Sequence, residues 1–172
     1  CNQILKLMGR RYLRETFENR VKAIKSAMPF ACIGADVIVG FPGETEELFE
    51  DTRSFLEELD ISYLHVFSYS ERRNTKAVMF PGKVSPKARE SRSRNLIELS
   101  EKKRSEFYRQ HIGKGTEVLF ESQFLQGLMT GFTPNYIKVE TGFDKELINK
   151  SIKVKLTGIA ASGNMDIIFA NS

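Results

Sequence analysis

Between residues 36 and 51 the chain reads DVIVGFPGETEELFED, an apolar run that enters Gly40, Phe41, Pro42, Gly43 and Glu44 and leaves as an acidic segment. The two glycines allow a guest to approach the backbone, Pro42 stiffens the turn, and a helix starting after it would offer unpaired N–H groups. An anion is the simplest guest at such a terminus. Glu44, Glu46 and Glu47 oppose one; three carboxylates suit a ligand with cationic or hydrogen-bond-donating groups. A tight strand-to-helix turn without any guest has the same sequence.

A second polar cluster, HVFSYSERRNT, brings His65, Ser68, Tyr69, Ser70, Arg72 and Arg73 to the end of an apolar run. Polar groups at the C-terminal ends of parallel strands are where α/β enzymes build their sites. Arg72 and Arg73 match a phosphate or a carboxylate, and equally a solvated loop. His65, between Leu64 and Val66, reads as a core or face histidine rather than a catalytic one. A third stretch, GFTPNYIKVE, interleaves Phe132, Asn135, Tyr136 and Lys138, a mixture able to stack on bases and pair with phosphates. Residues 113–172 hold six Lys against six acids, so core packing of these aromatics is the plainer alternative.

No Ser/His/Asp order or paired-His metal spacing is present, and no catalytic or metal-ligating residue is assigned. Cys1 and Cys32 are too few and too far apart for a disulfide framework or a close metal motif. The net charge of +4 is partitioned. Residues 1–28 carry seven Lys/Arg against two Glu, residues 40–60 one Arg against eight acids, and residues 83–112 nine Lys/Arg against four Glu. Basic flanks of this kind are the footprint of a nucleic acid or simply solvated helix faces. No apolar run is long enough to cross a bilayer, so no membrane partner is expected and the cytoplasm is the expected compartment. The chain opens in an apolar-periodic segment without Met, which reads as a start in mid-domain.

These groups need a scaffold. Phe17, Val21, Ile24 and Met28 recur at helical spacing up to Pro29. ACIGADVIVGF reads as a parallel strand covered on both faces. Thr45 is placed to cap a helix whose buried stripe is Leu48, Phe49, Phe55, Leu56 and Leu59, and residues 62–70 form the next strand. Helix, strand, helix, strand is the pattern of β/α units with a parallel sheet. Two such strands make no stable sheet alone, so further strands are expected upstream. From Ser85 to Gly113 one long helix is expected. After it, TEVLFES, GLMTGFT, YIKVE, IKVKLTG and MDIIFA alternate as five strands of a small antiparallel barrel. The domain boundary falls near Gly113, giving units 1–112 and 113–172.

Taken together, ILKLMGRRY, DVIVGFPGETEELFEDT, LHVFSYSERRNT and the long helix with IGKGTEVLFE resemble the C-terminal part of the radical S-adenosylmethionine tRNA methylthiotransferases. LHVFSYS and LKLMGRRY look most like the branch acting on threonylcarbamoyladenosine beside the anticodon, with the isopentenyladenosine and ribosomal-protein branches as near alternatives. The resemblance implies an α/β fold: the last part of a partial TIM-like radical barrel with parallel strands, then a small OB-like antiparallel β-barrel, the TRAM domain. It implies S-adenosylmethionine beside Gly40, Phe41, Pro42, Gly43 and Glu44, with Val66, Phe67 and Ser68 near its adenine or the substrate. The tRNA anticodon stem-loop would meet Tyr69, Arg72, Arg73, Phe132, Asn135, Tyr136 and Lys138. The cofactor is cationic, which suits an acidic turn. The family's [4Fe-4S] cysteine motif is absent here, which implies an inactive fragment of an active whole. A stand-alone RNA-binding module and a piece of another barrel enzyme are the rival readings.

Overall fold

A computed structural model describes residues 1–72 and 74–170. Arg73, assigned above to the substrate, lies outside the described residues. The chain divides into two compact units, Cys1–Lys103 and Arg104–Ser172.

The first unit holds helices α1 (Asn2–Leu7), α2 (Arg14–Ala27) and α3 (Glu46–Glu58), strands β1 (Gly34–Val39) and β2 (Tyr63–Ser68), and most of α4 (Pro86–Arg109). α2 stops just short of Pro29, as its missing N–H and fixed φ require. The Thr45 hydroxyl accepts the Leu48 N–H at 3.3 Å and starts α3. β1 and β2 pair in parallel, with Gly34 opposite Tyr63 and Val39 opposite Ser68. Alternate strand residues Ala35, Val39 and Leu64 pack on Val21 of α2, Phe49, Leu56 and Leu59 around α3, and Leu96 and Leu99 of α4. Burying a side chain such as Phe49 or Leu96 contributes about 1.5–3 kcal/mol each.

The other face of the sheet is covered only in part, by α1 across a groove, and not fully as the apolar run of β1 led one to expect. Asp36 and His65 are exposed there, and Phe67 is 53% exposed. The polar residues within otherwise apolar runs mark the open face: period two puts Asp36 and Ile38 opposite the core-facing Ala35 and Val39.

β2 does not present a free edge on its α4 side. The Leu64 N–H donates to Ser100 Oγ at 2.8 Å, and the same hydroxyl donates to the Leu64 carbonyl at 3.0 Å. Ser93 Oγ meets Ser68 Oγ at 2.7 Å, and Arg89 donates to the Tyr69 carbonyl at 3.1 Å. α4 thus runs beside this edge, and Ser100 satisfies the N–H and carbonyl of Leu64, groups that could otherwise pair with another strand. The buried Lys103 ammonium donates to the carbonyls of Glu57 and Leu59, at 2.9 and 2.7 Å, and closes the C-terminal end of α3.

The second unit contains the end of α4 and strands β3 (Gly115–Leu125), β4 (Leu128–Phe132), β5 (Lys138–Gly142), β6 (Ser151–Ile159) and β7 (Met165–Phe169). They close in the order β3-β4-β5-β7-β6, with β6 returning to β3. The expected five strands are present, but the barrel is not wholly antiparallel. β5 and β7 run parallel, Val139 opposite Met165, because the chain passes through β6 before returning beside β5. Val118, Phe120, Met129, Ile137, Val139, Val154, Leu156 and Met165 fill the interior. Lys153 and Lys155 point outward, as their alternation with Val154 and Leu156 requires. The division between the units falls inside α4, earlier than Gly113, and Phe107 and Tyr108 are buried with the barrel residues: the Tyr108 hydroxyl accepts the Lys138 N–H at 3.0 Å.

Candidate functional site

β1 ends at Val39, and the chain turns through Gly40 with φ +77°. A Cβ at Gly40 would lie 2.4 Å from Arg89 Cγ, so both its backbone angle and its surroundings exclude a side chain. The Gly40 N–H donates to Glu44 Oε2 at 2.7 Å, the Glu44 N–H to the Phe41 carbonyl at 3.0 Å, and the Gly43 N–H to the Gly82 carbonyl at 2.9 Å. Pro42 is fully buried, and Phe41 packs edge-on against Tyr69 at 5.1 Å and Phe80 at 6.2 Å. The turn is held from within.

Its acidity is balanced from within as well. Arg92 donates through Nη1 to Glu44 Oε2 at 2.8 Å and to the Glu44 carbonyl at 3.0 Å, and through Nη2 to Glu46 Oε2 at 2.8 Å. Its guanidinium also lies 5.4 Å from the Phe49 ring centroid. Burial opposes the charged form of Arg92, and the hydrogen bonds to Glu46 and Glu44 outweigh it, holding its pKa above the ordinary value. Two of the three carboxylates expected to favour a cationic guest are therefore engaged by a protein cation. Glu47 stays exposed, and its hydrogen bond with Thr45 lowers its pKa.

Beside the turn, on the open face of the sheet, lies a groove of about 260 Å³. Asp36, Ile38, Glu44 and Phe67 line it from the strands and turn, with Arg10 and Tyr12 from the loop after α1. Phe67 and Glu44 are the predicted cofactor residues that reach this space. Val66 faces the helix-packed core, Ser68 bonds Ser93, Tyr69 packs on Phe41, and Arg72 stands exposed.

In the barrel the sequence-predicted residues separate into two groups. Phe132 and Tyr136 lie 4.9 Å apart at a 32° tilt, with Lys138 Nζ 5.8 Å from the Phe132 centroid. Tyr136 is 63% exposed and has φ +65°, a strained value for a side-chain-bearing residue. Asn135 turns inward instead. Its Oδ1 accepts from Thr133 Oγ1 at 2.7 Å and its Nδ2 faces His111 Nε2 at 3.0 Å, while His111 Nδ1 meets the Phe107 carbonyl at 2.8 Å. The tautomer with hydrogen on Nδ1 satisfies both imidazole contacts. Asn135 is a structural link within the barrel unit.

Sequence reasoning missed Arg92, Arg89 and Ser100, which sit in what reads as a solvated charge run. A signal existed: Arg89, Arg92, Leu96, Leu99 and Lys103 recur at three- and four-residue steps, so the polar members share the apolar face. Arg10, Tyr12 and Asp36 carried no such signal, because only the fold brings them to one groove.

Fold and site together define a parallel β/α unit with a glycine-bearing strand-to-helix turn, in one chain with a small closed barrel. No protein-family model matches the chain. Individual proteins do. Threonylcarbamoyladenosine tRNA methylthiotransferase MtaB of Aquifex aeolicus is 42% identical over 155 residues, covering 89% of this chain and 36% of that protein. MtaB of Bacillus subtilis is 38% identical over 159 residues, 90% of this chain and 35% of its own length. The tRNA-2-methylthio-N(6)-dimethylallyladenosine synthase of Bacillus subtilis is 34% identical over 157 residues, 90% of this chain and 31% of its own length. The chain belongs to the tRNA methylthiotransferase family, and it spans about a third of the length of the relatives it matches.

Proposed function

We propose that this chain supplies part of an S-adenosylmethionine pocket and an RNA-gripping barrel to a tRNA methylthiotransferase that modifies a hypermodified adenosine beside the anticodon, threonylcarbamoyladenosine in particular. The identity of 34–42% with such enzymes over nine-tenths of the chain carries the reading. In this reading the first unit is the end of a radical-enzyme barrel, residues 113–172 are an OB-like TRAM domain acting on the tRNA anticodon stem-loop, and the protein works in the cytoplasm.

The groove fits the cofactor in part. Ile38 and Phe67 offer apolar surface for an adenine, and the Gly40–Glu44 turn brings backbone close to it. Glu44 contributes by fixing the turn through Gly40 and Arg92, not as a free anion. Ile38, Phe67 and the Gly40–Glu44 turn are the parts of this chain that would hold S-adenosylmethionine, which would supply radical and methyl-donor chemistry together with a [4Fe-4S] cluster. This chain's thiols do not fit such a cluster: Cys1 and Cys32 stand on separate segments, and among the described residues no three His, Cys, Asp or Glu are grouped to hold a metal. The cluster ligands belong to the rest of the protein, and the chain alone is inactive.

On the barrel, Tyr136 and Phe132 form a stacking surface with Lys138 beside it for a phosphate, and the strained Tyr136 backbone matches a residue kept for contact rather than for stability. Two measurements test the proposal. The complete polypeptide should add a methylthio group to adenosine in tRNA, and the isolated chain should bind tRNA with an affinity that falls steeply with salt. Absence of product in the first sinks the enzymatic reading, and salt-independent or absent binding in the second sinks the role of the barrel.

A further inference from the structure

One row of side chains on the open face of the β1–β2 sheet is built around a glycine. Gly34 and Tyr63 are register partners, and a Cβ on Gly34 would lie 2.5 Å from the Tyr63 ring. The glycine lets that ring lie across β1. The ring then meets the His65 imidazole edge-on, 5.0 Å between centroids at 85°. His65 is exposed, its register partner is Asp36, and Ile38 and Phe67 continue the row along the groove. An aromatic and aliphatic surface therefore carries, at one level, an oriented imidazole beside a carboxylate.

We infer that His65 is a specificity-determining residue, one that hydrogen-bonds a polar substituent on the exocyclic nitrogen of the substrate adenine. The inference rests on the adenosine-modifying reading above and names what that site selects. A threonylcarbamoyl group presents a urea, a hydroxyl and a carboxylate; a dimethylallyl group presents only hydrocarbon. The imidazole donates to the first kind, and Asp36 accepts from its urea N–H or hydroxyl. Against the second kind both polar groups would lose water and gain no partner, which is how a site built for hydrogen bonds rejects an apolar analogue. Tyr63 acts as a positioning residue by fixing the ring plane.

The test uses the complete polypeptide with two tRNAs, one carrying threonylcarbamoyladenosine and one dimethylallyladenosine, and measures the methylthio product by mass spectrometry. The unmodified enzyme should prefer the first. His65→Phe should lower its rate on that tRNA about ten- to hundredfold, the loss of one or two hydrogen bonds to a polar group, and leave or raise the rate on the second. His65→Gln, which keeps a donor, should retain part of the preference. Because His65 is exposed, the melting temperature of both variants should stay near that of the parent. An unchanged substrate ratio in both variants overturns the inference, as does an unmodified enzyme that acts on the dimethylallyl substrate alone. Product from neither tRNA overturns the adenosine-modifying reading itself, and the inference with it.

Discussion

Arg92 and Glu44 form an ion pair at 2.8 Å with side chains 7% and 3% exposed, and the Gly40 N–H binds the same carboxylate oxygen. The helix α4 thereby fixes the backbone of the strand-to-helix turn. Removing Arg92 leaves the buried Glu44 carboxylate uncompensated, which costs about 3–5 kcal/mol, whereas removing Glu44 leaves Arg92 still paired with Glu46 and costs less. Arg92→Met should lower the urea midpoint strongly, and Glu44→Gln should lower it less. The double variant should be more stable than the sum of the two losses predicts. Strict additivity would show that the two charges do not support each other.

Asn135 should behave as a structural residue. Asn135→Leu breaks its bonds with Thr133 and His111, and a loss of about 1–3 kcal/mol is expected from the polar groups left behind. The tRNA affinity of the folded variant should match the parent. A selective loss of affinity at unchanged stability would return Asn135 to the RNA surface.

Tyr136 should show the opposite pattern. Tyr136→Gly relieves a positive φ and should raise stability or leave it unchanged, while removing a stacking ring worth about 1–3 kcal/mol of binding to an unpaired base. Denaturation and tRNA titration of the same variant read both effects. A variant that loses stability and keeps its affinity would remove the platform from the interface.

Cys32 gives stability a slope with pH. Burial pushes its thiol above the ordinary value, against the opposing hydrogen bond with Ser62 and the charge of Lys25. The unfolded chain therefore ionises first as pH rises. The contribution is complete below the unfolded thiol pKa and is lost as pH climbs through the raised folded value. Urea midpoints measured between about pH 8 and 10 should fall more for the parent than for Cys32→Ala. Parallel curves would mean that the thiol titrates alike in both states.

Much of the scaffold was legible because each element follows a local rule. Thr45 before an acidic turn and Pro29 after a periodic run mark helix ends, and the alternation of Val154 and Leu156 with Lys153 and Lys155 marks a two-sided strand. What escaped depends on partners distant in sequence. The acidity of the turn read as an invitation to a cation, yet Arg92 lies 48 residues beyond Glu44 and already answers it. Asn135 carries the same composition signal as Tyr136, and only the fold turns one inward and the other out. The parallel contact between β5 and β7 likewise depends on the path of the chain through β6, which alternation does not encode.

The seam of Arg89, Ser93 and Ser100 along β2 gives the sheet a direction of growth. With α4 lying along that border and bonded to it at Leu64, the described residues leave β1 as the border where another strand can be added. Whatever extends this sheet, a segment of the same polypeptide or a neighbouring molecule in a concentrated solution, must join beside β1.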